Sequence, residues 1–127
     1  MQGLQEKSFA ITQSDLKKLP AVTKACSATR ANGEKISVDA TGPLLNTFMR
    51  QFGNKQKDFS RIHFTSKDKY SVDIPHNILA NRPIILAYII NGKPLPNDWQ
   101  PLRIVIPGVL ARYWAKGVIF MDCERDK

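Results

Sequence analysis

The chain has 127 residues, with 19 Lys and Arg against 11 Asp and Glu, and a formal net charge of +8. Its 43% hydrophobic and 24% charged residues are typical of a globular domain and exclude a disordered chain. The length indicates a single domain, 1–127, and no apolar run is long enough to span a bilayer.

The excess of positive charge favours anionic partners such as phosphates, oxyanions or acidic surfaces. A basic surface that only keeps the protein in solution explains the charge equally well. The basic residues are scattered along the chain and form no block of like charge that resembles a nucleic-acid tail. We therefore expect no specific binding of nucleic acid.

In the first third of the chain, the sequence predicts a short helix followed by a β-hairpin. A Ser at the N-cap and a terminal Pro delimit the helix at 14–20. Two strand-like runs at 21–29 and 35–40 flank the dipeptide Asn32-Gly33, which is a strong turn signal. These runs therefore predict a pair of antiparallel strands.

The strongest helix signal lies at 43–52. Pro43 suits a first turn because its missing N–H needs no partner there. Apolar residues recur at helical spacing and predict one buried face, which consists of Leu44, Leu45, Phe48, Met49 and Phe52. Gly53 can adopt the left-handed conformation that ends a helix.

The second half of the chain predicts mainly strands. Their apolar residues alternate or run continuously, at 61–66, 70–74, 84–90, 102–106 and 117–121. A charged turn at 67–69, a helical turn at 75–80 and the turn signal Asn91-Gly92 separate them. Because hairpins outnumber crossover helices, we expect an α+β fold with a strand-rich mixed or antiparallel sheet and two or three short helices.

Familiar catalytic and metal-binding motifs are missing from the sequence. There is no GxSxG elbow, no HExxH pair and no GxxxxGK[ST] loop. Cys26 and Cys123 form no CxxC pair, and His63 and His76 lack a metal-ligand spacing. A disulfide between the two cysteines stays open, because the sequence does not give their separation.

The compartment also stays open. Residues 1–7 lack the hydrophobic core of a signal peptide. We expect a periplasmic or exported protein if a signal peptide was removed, and a cytoplasmic protein otherwise.

One segment carries a more specific pattern. The run NGKPLP at 91–96 is followed by PLRIVIPG at 101–108, and then by Arg112 and Lys116. This order resembles the C-terminal half of the sulfite oxidase-type molybdopterin domain, where an NG turn, a P-x-R strand, a Pro-Gly loop and a basic pair follow one another. The chain departs from that family at 98–101, where DWQP replaces Asp-His-Gly-x-Pro.

A second match to the same family begins at Cys26. The segment CSATR at 26–30 resembles the family's Cys-x-x-x-Arg segment, whose cysteine ligates molybdenum. The resemblance implies that Cys26 is the metal ligand, and that Arg30, Arg112 and Lys116 hold the anionic pterin or an oxyanion. A thiolate suits a redox metal, and a nearby Arg would lower the pKa of the thiol. Alternatively, Cys26 is a buried, inert thiol and the cations are solvated.

The resemblance covers residues 12–121 and corresponds to part of the family's domain. It implies the family's fold and a molybdopterin-binding, oxidoreductase-like domain that acts on a small, anionic substrate, with molybdopterin as cofactor and a redox protein as partner. The alternative is a non-catalytic binding or interaction module that keeps the fold and has lost the cofactor. Whether the chain is an enzyme stays open between these two hypotheses.

Overall fold

The computed structural model describes residues 6–51 and 55–124. Its strands are Glu6–Ala10 (β1), Val22–Thr29 (β2), Lys35–Gly42 (β3), Arg61–Ser66 (β4), Ser71–Pro75 (β5), Ile85–Ala87 (β6), Ile89–Ile90 (β7), Lys93–Pro94 (β8), Arg103–Val105 (β9), Val109–Leu110 (β10) and Val118–Glu124 (β11). The α-helices are Gln13–Lys17 (α1), Leu45–Arg50 (α2) and His76–Asn81 (α3). Short 3₁₀ turns lie at Gln56–Asp58, Asn97–Trp99 and Ala111–Tyr113. The strand-rich content confirms the predicted α+β class.

The strands form three sheets. One has the order β1-β11-β4-β5, a second has the order β10-β2-β3-β7-β8, and β6 pairs with β9. In the described part of the chain every strand pairing is antiparallel except that of β10 with β2, which is parallel. The sheets are therefore mixed and mainly antiparallel, as the hairpin-rich sequence predicts.

The turns between paired strands lie where the sequence predicts them. Gly33 has φ +88° between β2 and β3, and Asn91 and Gly92 have φ 54° and 79° between β7 and β8. Gly and Asn adopt this left-handed region at low cost, which explains their use here. Lys69, with φ 73°, lies in the predicted turn between β4 and β5. Both predicted hairpins, β2–β3 and β4–β5, are formed.

The N-cap of the first helix lies two residues before the predicted one. Thr12, and not Ser14, caps α1: its side-chain oxygen accepts from the Asp15 amide at 3.2 Å. The Asp15 carboxylate accepts in return from the Thr12 amide at 3.2 Å. This reciprocal pair satisfies two backbone donors, so Thr12 is the better start.

The helix predicted at 43–52 begins later than expected. β3 continues through Gly42, and α2 starts at Leu45. Gly42 lies directly against the backbone of Leu86, where a side chain would clash. The glycine therefore serves a close backbone approach within the sheet and does not open the helix.

The predicted apolar face of α2 is confirmed. Leu45, Phe48 and Met49 are buried, and Leu44 is half-buried just before the helix. The remaining predictions, for residues 52 and 53, lie outside the described residues.

Three features of the sheets differ from the sequence prediction. β1 and the two-residue β10 were not predicted, because each is stabilised by a partner distant in sequence, β11 and β2 respectively. The apolar run 84–90 is not one strand: it divides into β6, which pairs with β9, and β7, which pairs with β3. Only 84–87 is fully buried, and 88–90 is half-buried.

A single apolar cluster joins the sheets and helices. It includes Phe64 of β4, Leu86 of β6, Ile104 of β9 and Trp114, together with both cysteines. None of the helices in the described part of the chain has the length and apolar character that crossing a bilayer requires. Arg112 and Lys116 are exposed in the segment that follows β10, and Arg30 is exposed in the turn between β2 and β3.

Candidate functional site

A cavity of about 300 Å³ lies beside the segment that carries Arg112 and Lys116. Its lining residues come from the β4–β5 turn, from β9 and from the segment after β10, and they are Asp68, Tyr70, Arg103, Ala111, Arg112, Trp114, Ala115 and Lys116. Two predicted site residues, Arg112 and Lys116, therefore meet in one cavity. A third cation, Arg103, joins them. This set is called the basic pocket below.

Backbone pairing brings the three cations together. Arg103 opens β9, and an isolated antiparallel bridge joins it to Lys116. The Ile104 amide donates to the Ala115 carbonyl at 2.8 Å, which continues this pairing. Arg112 lies in the 3₁₀ turn that precedes the paired segment. Backbone hydrogen bonds therefore hold the residues of the pocket next to one another.

Arg103 is the buried member of the pocket. It is 9% exposed, and its Nε donates to the Trp114 carbonyl oxygen at 3.3 Å. Its guanidinium lies 4.8 Å from the centre of the Trp99 ring and 5.4 Å from that of Trp114. Burial, and then the charge of Arg30, lowers the pKa of Arg103.

No carboxylate forms an ion pair with Arg103 among the residues that the structure describes. A buried cation without a counter-ion is costly to hold, and a perturbed charged group that lines a cavity is a candidate functional residue. The two indole rings offset part of that cost through cation–π contact. Arg103 is therefore the strongest indication in this pocket of an anionic ligand.

Arg112 and Lys116 lie at the exposed rim of the pocket. Lys116 Nζ lies 4.7 Å from the centre of the Trp99 ring, and Arg112 donates from Nη2 to the Tyr113 hydroxyl at 3.0 Å. One acidic side chain, Asp68, also lines the pocket, and its carboxylate accepts from the Tyr70 amide at 3.0 Å. Three cations against one carboxylate leave the pocket with a positive balance.

Cys26 has different surroundings. It is 3% exposed, lies opposite Val38 in the β2–β3 pair, and belongs to the apolar cluster. Its Sγ donates to the Lys24 carbonyl at 3.6 Å. Burial raises the pKa of the thiol, against a smaller opposing effect of Lys24 and a further rise from Asp39. The prediction that basic neighbours lower this pKa is therefore wrong, because desolvation dominates.

The remaining predicted site residue, Arg30, lies in the β2–β3 turn. Its Nε is 3.5 Å from Glu34 Oε1, and both side chains are more than half exposed. Its charge acts on Arg103, as the pKa of Arg103 shows, but Arg30 is not among the residues that line the basic pocket. Cys26 is not among them either.

The structure also bears on the possible disulfide and on a metal site built from protein side chains. Cys26 and Cys123 are both free and buried, so the disulfide left open by the sequence is not formed. Across 6–51 and 55–124, no three His, Cys, Asp or Glu side chains come together as a metal-binding group.

Sequence reasoning missed two residues of this site. Arg103 was recognised as the Arg of the P-x-R strand but was not assigned to the site, since a central strand residue is normally apolar. Trp99 was not assigned to the site, yet its half-buried ring contacts both Arg103 and Lys116. It stands in the DWQP segment, where the family has His, so that departure was the available signal. Trp114 is 2% exposed and is a core residue as expected.

The comparisons with known proteins agree with the resemblance. The family model described as oxidoreductase molybdopterin binding domain matches residues 1–125. Among solved structures, the sulfane dehydrogenase SoxCD from Paracoccus pantotrophus is similar, with a TM-score of 0.70 and 19% sequence identity. The match covers 86% of this chain and 33% of that chain, so this chain spans about a third of its length. No curated protein matches the sequence.

Proposed function

The chain belongs to the family of oxidoreductase molybdopterin-binding domains, and we propose that it acts as a binding module whose basic pocket takes an anionic group of the phosphate class. In this proposal Cys26 is a core residue and not a metal ligand. The chain then corresponds to the non-catalytic alternative considered from the sequence. A member of this family can keep its fold and its anion pocket without keeping the redox chemistry, because these depend on different residues.

One observation carries the proposal: Arg103 is a buried cation that has no carboxylate partner among the described residues and lines a cavity with Arg112 and Lys116. An anion in this cavity would receive charge-assisted hydrogen bonds from a guanidinium fork and from an ammonium group. The low local polarity around Arg103 strengthens these interactions relative to those at a fully exposed cation.

The residues of the chain fit molybdopterin only in part. The phosphate of the cofactor suits Arg103, Arg112 and Lys116. A cavity of about 300 Å³ is at the lower end of the range for ligand pockets, which run from roughly 300 to 1,000 Å³. The metal end does not fit Cys26, because a ligating sulfur needs open space before it, and Cys26 is 3% exposed within the apolar cluster.

The second candidate function is a molybdopterin-dependent oxidoreductase acting on a small, anionic substrate. Family membership and the basic pocket favour it. When bound, molybdopterin supplies the redox chemistry of its metal, while the protein orients it. The chain's own contribution in that case is to hold the cofactor's phosphate at the three cations and to steer an anionic substrate with its net charge of +8.

An NMR titration with inorganic phosphate tests the anion pocket. We expect saturable shifts of the Arg103, Arg112 and Lys116 amides at low ionic strength. Lys116→Gln should weaken this binding several-fold, and Arg103→Met by at least about tenfold, since a hydrogen bond to a charged group contributes roughly 1.5–3 kcal/mol. Lys93→Gln removes one charge from an exposed strand outside the pocket and should have little effect.

Metal analysis separates the two candidates. Protein made in a host that synthesises the molybdenum cofactor should contain far less than one molybdenum atom per chain if the binding-module proposal is correct. Near-stoichiometric molybdenum that is lost in Cys26→Ala would overturn it and establish the oxidoreductase. Phosphate shifts that are absent, or that are equal in wild type and Arg103→Met, would refute the anion pocket itself.

A further inference from the structure

A cavity of about 480 Å³ lies elsewhere on the molecule and shares no lining residue with the basic pocket. It is formed around α2, α3 and the 3₁₀ turn between them, and is lined by Leu44, Asn46, Lys55, Gln56, Lys57, Leu79, Ala80, Asn81, Arg82 and Pro83. We infer that this cavity, the α3 pocket, is a second binding site, and that it takes a small organic anion with a phosphate group and an apolar body.

The charge of the α3 pocket is the first argument. Lys55, Lys57 and Arg82 contribute three positive charges, and none of the described lining residues is acidic. The basic pocket, by contrast, includes Asp68. Arg82 uses Nη1 to donate to the Pro107 carbonyl at 3.1 Å, one of the five N–H donors of its guanidinium. A positive concavity of this kind attracts anions.

The second argument is that three of the backbone acceptors around the pocket already receive hydrogen bonds. Helix α3 ends at this cavity, and the carbonyls at a helix C-terminus carry partial negative charge that would repel an anion. Gln56, 5% exposed, donates from Nε2 to the Leu79 carbonyl at 2.9 Å and to the Arg82 carbonyl at 2.7 Å. The Ile78 carbonyl accepts from the Arg82 amide at 2.9 Å. These bonds offset the negative end of α3.

The third argument is rigidity. The Asn46 carboxamide oxygen accepts from the Gln56 amide at 2.8 Å, which ties the 3₁₀ turn to α2. Gln56 then ties the same turn to α3 through its side chain. Gln56 thus joins three elements around the cavity, through its backbone amide and its side chain, and walls that are already held together cost less to order when a ligand binds.

The apolar side of the pocket selects the ligand class. Leu44, Leu79 and Pro83 line it together with a polar and cationic set. Pockets for small molecules combine apolar walls with a few polar groups that fix orientation. We therefore expect an organic phosphate to bind more tightly than inorganic phosphate. In the basic pocket, inorganic phosphate already satisfies the main interaction.

A two-probe NMR titration tests this site. Phenyl phosphate should shift the amides of residues 55–57 and 80–82 saturably, and its dissociation constant there should be at least about threefold lower than that of inorganic phosphate. The double variant Lys57→Gln/Arg82→Gln should weaken this binding about tenfold or more, because two charged partners are removed. Lys57→Gln alone, whose side chain has no described hydrogen bond, provides a second test if loss of the Arg82 contact disturbs folding.

The control is Lys35→Gln/Lys93→Gln, which removes the same net charge at exposed strand positions outside both pockets. It should retain binding within about twofold, an effect of net charge alone. Absence of saturable shifts at 55–57 and 80–82, or equal weakening by the control, would overturn the proposal. Arg103→Met should leave these shifts unchanged, so failure of the α3 pocket and failure of the basic pocket are read separately.

Discussion

The strand around Cys26 and the pocket around Arg103 differ in what surrounds their polar atoms. Cys26 lies in an apolar cluster and gives its weak hydrogen bond to a backbone carbonyl. Arg103 is nearly as buried, yet it lines a cavity shared with two other cations. In the function we propose, burial makes the sulfur inert and the guanidinium a stronger anion receptor. The family resemblance assigns a metal ligand to the first region and an anion site to the second, but one of these functions can be lost while the other is kept.

The packing of the apolar cluster that contains Cys26 can be tested by Phe48→Ala, for which we expect the largest loss of stability. Phe48 belongs to the same cluster as Cys26 and is 4% exposed. Removing its ring should lower the free energy of unfolding by about 3–5 kcal/mol, measured by urea denaturation. Phe120→Ala, at a position that is 37% exposed, should cost roughly 1 kcal/mol or less. A Phe48→Ala loss below about 1 kcal/mol would show a loosely packed cluster.

Arg103→Met tests the basic pocket, because this substitution should lower phosphate affinity and leave stability nearly unchanged. Arg103 has no carboxylate partner within 6–51 and 55–124, so an apolar side chain of similar length removes a desolvation penalty and a hydrogen bond together. We expect the free energy of unfolding to change by no more than about 1 kcal/mol, while phosphate affinity falls at least about tenfold. A loss of several kcal/mol with unchanged affinity would make Arg103 a structural residue and not a receptor.

The pair Cys26→Val and Cys26→Ser tests the surroundings of the thiol directly. In an apolar site, Val should cost less than about 1.5 kcal/mol, since it is similar in volume. Ser should cost about 1–3 kcal/mol, because a hydroxyl is more expensive to bury than a thiol. We predict that Cys26→Val is more stable than Cys26→Ser, as measured by the urea concentrations at which the two variants are half unfolded. Better tolerance of Ser than of Val would place Cys26 beside a polar space.

Arg112→Gln should have the smallest effect, on binding alone. Arg112 is exposed at the rim, where water and salt screen its charge. We expect phosphate affinity to fall by about two- to fivefold at low salt and by less as salt is added. Arg30→Gln is the matched control, since Arg30 is exposed, is paired with Glu34 and does not line the pocket. Equal effects of the two variants would mean that only net charge matters.

Local signals in the sequence predicted much of the fold. Asn32-Gly33 and Asn91-Gly92 marked turns because positive φ is a local requirement. β1 and β10 could not be predicted, since their hydrogen bonds go to residues distant in sequence. The division of 84–90 into two strands has the same origin: each half pairs with a different distant strand.

The candidate site was predicted in part. Arg112 and Lys116 do lie in one cavity, as their order in the family-like segment implied. The surroundings of Cys26 could not be read from CSATR, because they depend on the strands and loops that pack over β2. The sequence contains no signal that predicts the α3 pocket, since its lining residues come from three separate stretches of sequence that meet only in the folded chain.

The rate at which Cys26 is alkylated in the native protein tests the central claim most directly. Iodoacetamide reacts with thiolates, and burial both covers this sulfur and raises its pKa. Peptide mapping by mass spectrometry distinguishes Cys26 from the other buried cysteine, Cys123. The account predicts that at pH 7 Cys26 is modified only as the protein unfolds, at a rate that rises with urea. Modification of the native protein as fast as of the unfolded chain would contradict it, and would return Cys26 to the role of metal ligand.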